Sequence, residues 1–256
     1  MSAPDPTPAP TSDSTPATAR SDAGNWATKV DRLAAPDETA KVGYNITGKK
    51  VTGPQQGFGR LWQRTYSTNL GSVVGARALI SDWKVNFGDY WPPGSVFHNS
   101  LTGIEPGAVT PIEVGIASHG PKLATGILVI YADEDSFTFM TPEGHMFAGM
   151  ITFSAEEDAG ETRVEIKILI RPNDPIWELA WPVARRKEDE FWMGTLTNLA
   201  AHYGVADAKV SEETICVDRK RLWSNWRNVW HNSGIRSGIH IVTTPIRMLR
   251  PQRSSG

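Results

Sequence analysis

Four short strand-like runs lie between residues 126 and 171, GILVIY (126–131), SFTFMT (136–141), HMFAGMITFS (145–154) and TRVEIKILIR (162–171), with apolar and polar positions alternating in the second and fourth. A period of two sends successive side chains to opposite faces of a strand. The joints are turn-forming: Ala132-Asp133-Glu134-Asp135, Pro142-Glu143-Gly144 and Glu156-Glu157-Asp158-Ala159-Gly160. Strands joined this tightly predict an antiparallel meander, whose apolar face must be covered by another layer.

Upstream, RLWQRTYSTNL (60–70) sets Leu61, Gln63 and Thr65 against Trp62, Arg64 and Tyr66, which predicts a strand. Over residues 72–87 the apolar positions Val73, Ala76, Leu79, Ile80, Trp83 and Phe87 recur at spacings of three and four, a helix with Ser72 as its cap. Trp91-Pro92-Pro93-Gly94 ends it, and SVFHNSL (95–101) and AVTPIEVGIAS (108–118) predict two more strands before the meander. Arg171-Pro172-Asn173-Asp174-Pro175 breaks the sheet. A second helix is predicted over residues 182–203, with Trp192, Leu196, Leu199 and Tyr203 on one face and Gly204 at its stop. The order strand, helix, six strands, long helix is that of an α+β domain, and no internal repeat interrupts it.

Composition bounds the domain. Of 256 residues 39% are apolar, and ten tryptophans add buriable surface, so a sizeable core is expected. Residues 1–38 are Pro, Ala, Ser, Thr and Asp with little to bury and are expected to be a disordered tail. Residues 39–56 form a lead-in, 57–204 the domain, and 205–256 a linker and a basic, Trp-rich helical extension. No run is apolar enough to span a membrane, no secretory signal is expected, and the single Cys216 excludes an internal disulfide. A cytoplasmic setting follows, with association to a membrane surface as an addition.

The net charge of −2 hides a segregation. Residues 219–256 hold eight Lys and Arg and no acid, leaving 18 of the 26 cations against all 28 acids, a balance of −10 in the remainder. Such a split points to an acidic partner for the tail.

Several motifs carry a likeness to a known group: Gly57-Phe58-Gly59-Arg60, Tyr131-Ala132-Asp133, Ser136-Phe137-Thr138-Phe139, Thr141-Pro142-Glu143-Gly144-His145 and Ile151-Thr152-Phe153-Ser154. Arg171 through Pro175, and the helix from Arg185-Arg186 to His202-Tyr203-Gly204, belong to the same set. With the element order, residues 57–204 resemble the START-like or SRPBCC superfamily, and within it a family of uncharacterised bacterial and plant proteins. The resemblance implies a helix-grip fold: a curved antiparallel sheet of about seven strands wrapped on the long C-terminal helix, with the shorter helix inserted after the first strand. It also implies an apolar cavity. Members of the superfamily bind lipids, sterols, polyketides or plant hormones, and a minority cyclise or hydrolyse them. The narrower family offers no activity to carry over, and fold does not fix function.

Val164, Ile166, Ile168 and Ile170 alternate with Glu165 and Lys167, so the aliphatic row faces inward and the charges face solvent. Phe137 and Phe139 form a matching row, either wall of a cavity or filled core. The ligand-binding set expected here is Phe137, Phe139, His145, Ile166 and Ile168, with Trp192 and Leu196 from the helix. His145 is the catalytic candidate, able to orient a carbonyl or move a proton, against the plainer reading of a hydrogen-bonded histidine at a sheet edge. Glu143 reads as a solvated turn residue. The chain has no nucleophile elbow, zinc-protease pair, phosphate loop or dinucleotide fingerprint, and its six histidines lack ligand spacing, so no cofactor or metal is expected.

In the tail, Arg219, Lys220 and Arg221 precede Trp223, Trp226 and Trp230, with Arg227 between them. Read as a helix, the three indoles share a flank, and cations beside them suit an anionic membrane interface at about 1 kcal/mol per cation. The competing reading packs the tail on the acidic body or in a homo-oligomer contact. Nucleic acid is disfavoured, because the acidic body repels phosphate. Three functions remain open in order of preference. The first is a module binding an apolar small molecule or lipid, with peripheral membrane association. The second is a cyclase or hydrolase using His145, and the third an interaction protein with a filled core.

Overall fold

The computed structural model describes residues 21–39, 42–98, 103–115 and 122–239. The expectations for residues 1–20, for the far ends of the strands predicted over 95–101 and 108–118, and for the apolar pattern past residue 239 lie outside these residues.

Nine strands form one antiparallel sheet: β1 (Val51–Thr52), β2 (Leu61–Asn69), β3 (Val96–Phe97), β4 (Val109–Gly115), β5 (Lys122–Ala132), β6 (Ser136–Pro142), β7 (Phe147–Asp158), β8 (Glu161–Pro172) and β9 (Ser211–Asp218). Their order is β3-β4-β5-β6-β7-β8-β2-β9, with β1 paired to β6. Helix α1 (Ala76–Val85) follows β2, and the long α2 (Pro175–His202) follows β8. Period-two alternation sets the register. Phe137 lies opposite Phe153, Phe153 opposite Ile166, and Ile166 opposite Tyr66, so the predicted apolar rows meet on one face. Thr138, Thr152, Lys167 and Thr65 meet on the other.

The concave face and the two helices share one core that includes Trp83, Phe87, Phe137, Phe139, Phe153, Ile166, Leu196 and Leu199. Helix α1 is shorter than its periodicity predicts. Gly75 takes the cap position instead of Ser72, and the Ala76 N–H donates to Glu157 Oε1 of β7 at 2.8 Å. Phe87 falls in a following 3-10 turn, Phe87–Tyr90.

Helix α2 starts at Pro175, not at 182. Asp174 Oδ1 accepts from the N–H groups of Ile176 and Trp177 at 2.8 and 3.0 Å, and Pro175 sits in the first turn, where a missing N–H is tolerated. Pro182 therefore lies inside the helix, on its exposed side.

Two segments differ from expectation. Part of the expected disordered tail, from residue 21 on, lies against the outer face: Trp26 bridges to Tyr131, and Leu33 packs with Ile46 and Leu128. Leu128 and its neighbour Ile130 are the outward apolar residues of β5, and this chain covers them. Residues 211–218, expected as linker, form β9 on the open edge of β2, and with the short β1, in the expected lead-in, they raise the sheet from about seven strands to nine. Among the described residues no helix is long and apolar enough to cross a membrane.

Candidate functional site

Three rows cross the concave face. Tyr66, Ile166, Phe153 and Phe137 form one, Arg64, Ile168, Ile151 and Phe139 the next, and Trp62, Ile170 and Gly149 the third. The first row is closed by rings. Phe87 lies 5.6, 5.3 and 5.0 Å from Phe137, Phe139 and Phe153, while Trp83 and Trp192 meet Phe153 at 5.3 and 5.6 Å. The other rows lie under the middle of α2. Trp181 stacks on Trp62 at 5.5 Å and meets the edge of Phe147 at 5.6 Å. Here the packing changes: Phe139 and Ile168 are buried, but Ile151 between them is only partly buried, as is Trp62. Trp62 Nε1 is buried and has no hydrogen-bond partner.

A charge cluster closes the β2 end of these rows. Arg64, on the inward face of β2, is fully buried and engages all five of its N–H donors. Nε donates to Thr214 Oγ1 at 3.1 Å, and Nη1 donates to Glu188 Oε2 at 2.6 Å and the Arg185 carbonyl at 3.4 Å. Nη2 donates to Asp189 Oδ1 and, at 3.3 Å, to Glu212 Oε1. The Tyr66 hydroxyl donates to Asp189 Oδ1 at 3.0 Å.

Burial pushes the Glu188 carboxyl up to about 7, against the Arg64 charge that pulls it down. Burial also raises the Tyr66 phenol, aided by the Glu188 charge. For Arg64 burial works toward proton loss, but the charge and hydrogen bond of Glu188 together with Tyr66 and Asp189 outweigh it and hold the guanidinium protonated.

The expected residues Phe137, Phe139, Ile166, Ile168, Trp192 and Leu196 do meet in one cluster. His145 stands apart, buried in the turn ahead of β7, where the Phe147 N–H donates to its Nδ1 at 3.0 Å. Burial takes its pKa down to about 4, so the ring is neutral at physiological pH. Among the described residues it makes no hydrogen bond to the Arg64 cluster. Arg64, Tyr66, Glu188 and Asp189 are additions to the expected set. The signal for Arg64 was its place between Trp62 and Tyr66 on the inward face. No metal-binding group of three or more His, Cys, Asp or Glu occurs among the described residues.

The C-terminal extension folds back on the body. After β9 it forms a 3-10 helix, Trp223–His231, and residues 233–239 are helical. Asparagines fix it. Asn225 Nδ2 donates to the Gly57 carbonyl at 2.9 Å, Asn228 Nδ2 to the Gln56 carbonyl at 2.7 Å, and Asn232 Nδ2 to Asp174 Oδ2 at 2.7 Å. Arg221 pairs with Glu178 at 2.8 Å, and Arg171 binds the Lys220 carbonyl at 2.8 Å. Arg219, Lys220 and Arg227 are exposed, and Arg227 lies over the Trp226 ring. Trp223, Trp226 and Trp230 are 70%, 44% and 73% exposed, unusual values for indoles. Ile176, Leu179 and Val183, on the adjoining turns of α2, are exposed too.

A curved antiparallel sheet closed on a long C-terminal helix defines the helix-grip, START-like class of fold, as expected from the element order. No family model matches the chain, and no curated protein matches it. Among solved structures it is similar to major latex-like protein 151 from Panax ginseng, at 18% identity over 57% of this chain and 99% of that one, TM-score 0.40. It is similar to a protein from Arthrobacter aurescens at 13% identity, over 60% and 91%, TM-score 0.42. The di-domain ARO/CYC StfQ from the steffimycin biosynthetic pathway matches at 12% identity, over 57% and 51%, TM-score 0.43. Likeness this distant transfers no ligand and no reaction, and the fold assignment rests on the strand order and helix placement described above.

Proposed function

We propose that the protein is a binding module that holds an apolar small molecule or lipid between the sheet and α2, below the helix segment from Trp181 to Trp192. The observation that carries this reading is Ile151. It sits mid-sheet on the concave face with buried neighbours on both sides, yet it stays partly open. A filled core would bury it as fully as Phe139 and Ile168. The wall around it is aromatic and aliphatic, the composition of small-molecule sites. Protein purified from its native host is expected to release an apolar compound on solvent extraction, detected by mass spectrometry. Ile151→Trp fills the space and is expected to lose that compound while keeping its circular dichroism spectrum. A folded Ile151→Trp with undiminished ligand, or native protein that carries none, overturns the reading.

Peripheral association with anionic membrane is the second part of the proposal. Support comes from three exposed indoles beside the exposed cations Arg219 and Lys220, next to the exposed apolar stripe of α2. Because the tail is part of the fold, the test uses surface substitutions in place of a deletion. Trp223→Ala combined with Trp230→Ala is expected to reduce co-sedimentation with phosphatidylserine vesicles without changing the melting temperature. Unchanged co-sedimentation overturns this part.

A further inference from the structure

The polar end of the proposed site has a definite sign. Arg64 is the one cation inside it, and every N–H it owns already has an acceptor. The Tyr66 hydroxyl is engaged with Asp189, and the Thr214 hydroxyl with Glu212. Against the single guanidinium stand the carboxyls of Glu188, Asp189 and Glu212. Arg185, the other nearby cation, gives its carbonyl to Arg64 and its charge to Glu212, but keeps an exposed side chain. The Glu188 side chain is 10% exposed, with Oε2 on Arg64 and Oε1 in no hydrogen bond among the described residues. Above pH 7, where Glu188 is ionised, an incoming group therefore finds an oxygen acceptor beside other carboxylates, not a free arginine.

We propose that the site selects apolar molecules whose polar end donates a hydrogen bond, a hydroxyl or a protonated amine, and discriminates against those ending in a carboxylate or phosphate. This rests on the enclosure of an apolar molecule between sheet and α2. A hydroxyl donates to Glu188 Oε1 without disturbing Arg64, and a protonated amine adds charge attraction. A carboxylate has to displace one of five existing acceptors from Arg64 and then sit beside Glu188, Asp189 and Glu212. The indole N–H of Trp62, on the neighbouring row of the same face, has no hydrogen-bond partner among the described residues and is open to a polar atom of an occupant.

The test is titration calorimetry on the full chain with three probes of one chain length: decylamine, decanol and decanoate. Decylamine and decanol are expected to bind with one-to-one stoichiometry, and decanoate about tenfold more weakly or worse. Glu188→Gln is expected to shrink the advantage of decylamine over decanol. Asp189→Asn supplies a second reading of the same effect should Glu188→Gln fold poorly. Decanoate binding as tightly as decylamine overturns the selection while leaving the enclosure standing. Decylamine affinity unchanged in both variants assigns its binding to the acidic surface and also overturns it. If none of the three binds, the enclosure itself fails and the selection falls with it.

Discussion

Replacing Glu188 by glutamine removes a titrating group from the interior while keeping its shape. The native carboxyl ionises at about 7 in the fold against an ordinary value of 4.5, so ionising it there is costlier than in the unfolded chain by roughly 3 kcal/mol. Below pH 4.5 it is protonated in both states and contributes no pH dependence. Between 4.5 and 7 the folded protein keeps a proton that the unfolded chain has released, so stability falls as pH rises across that window. Above 7 the loss is complete and constant. Glutamine has no such slope. The stability of the native chain relative to Glu188→Gln should therefore drop by roughly 3 kcal/mol between pH 4.5 and 7.5. Arg64, Tyr66, Asp189, Arg185 and Glu212, which face Glu188 or its partner, are common to both chains and cancel to first order. Urea unfolding of both chains at several pH values measures this. A difference that stays flat within about 0.5 kcal/mol refutes a buried Glu188 that holds its proton up to neutral pH.

Two further expectations follow from the turn at the start of β7. The His145 ring, with its pKa down at about 4, should show imidazole proton shifts that stay constant from pH 8 to 5 in NMR spectra, and a mid-range titration would mean that the ring is open to water. Gly144 adopts φ +90°, and a Cβ there would meet the His231 carbonyl at 2.1 Å. Gly144→Ala should accordingly cost about 1–3 kcal/mol and speed proteolysis within residues 223–239, and unchanged cleavage would show that the tail does not depend on this contact.

The meander was legible because its runs are bounded by turn-forming residues and because a half-buried strand must alternate, as residues 136–141 and 162–171 do. Trp62, Arg64 and Tyr66 could be placed on one face for the same reason. The importance of Arg64 could not, because its partners come from residue 212 and from the run Arg185 to Glu190, which reads as a solvated helix face. Only the docking of α2 onto β2 turns Glu188 and Asp189 inward. Strand β9 escaped notice because an edge strand exposed over much of its length needs little apolar content, and Ser211-Glu212-Glu213-Thr214 offers none. The early start of α2 was hidden by two prolines, although Asp174 before Pro175 is a recognisable cap. The exposure of the three indoles depends on which atoms the asparagines reach, a matter of three-dimensional distance that spacing does not encode.

Strand β9 also decides where this protein can be cut. A boundary drawn at Gly204, where the likeness to START-like proteins ends, would strip the partner from Leu61–Ser67 of β2 and leave alternate backbone N–H and C=O groups of that stretch open along one margin. Such a margin recruits strands from other molecules, so the shorter fragment should be sticky. Arg64 would meanwhile lose Thr214 and Glu212, two of its five acceptors, and reach for whatever anion is at hand. Residues 211–218 thus guard the sheet edge and hold Arg64 in its present company, which makes a chain that keeps β9 the proper unit for expression and for selection.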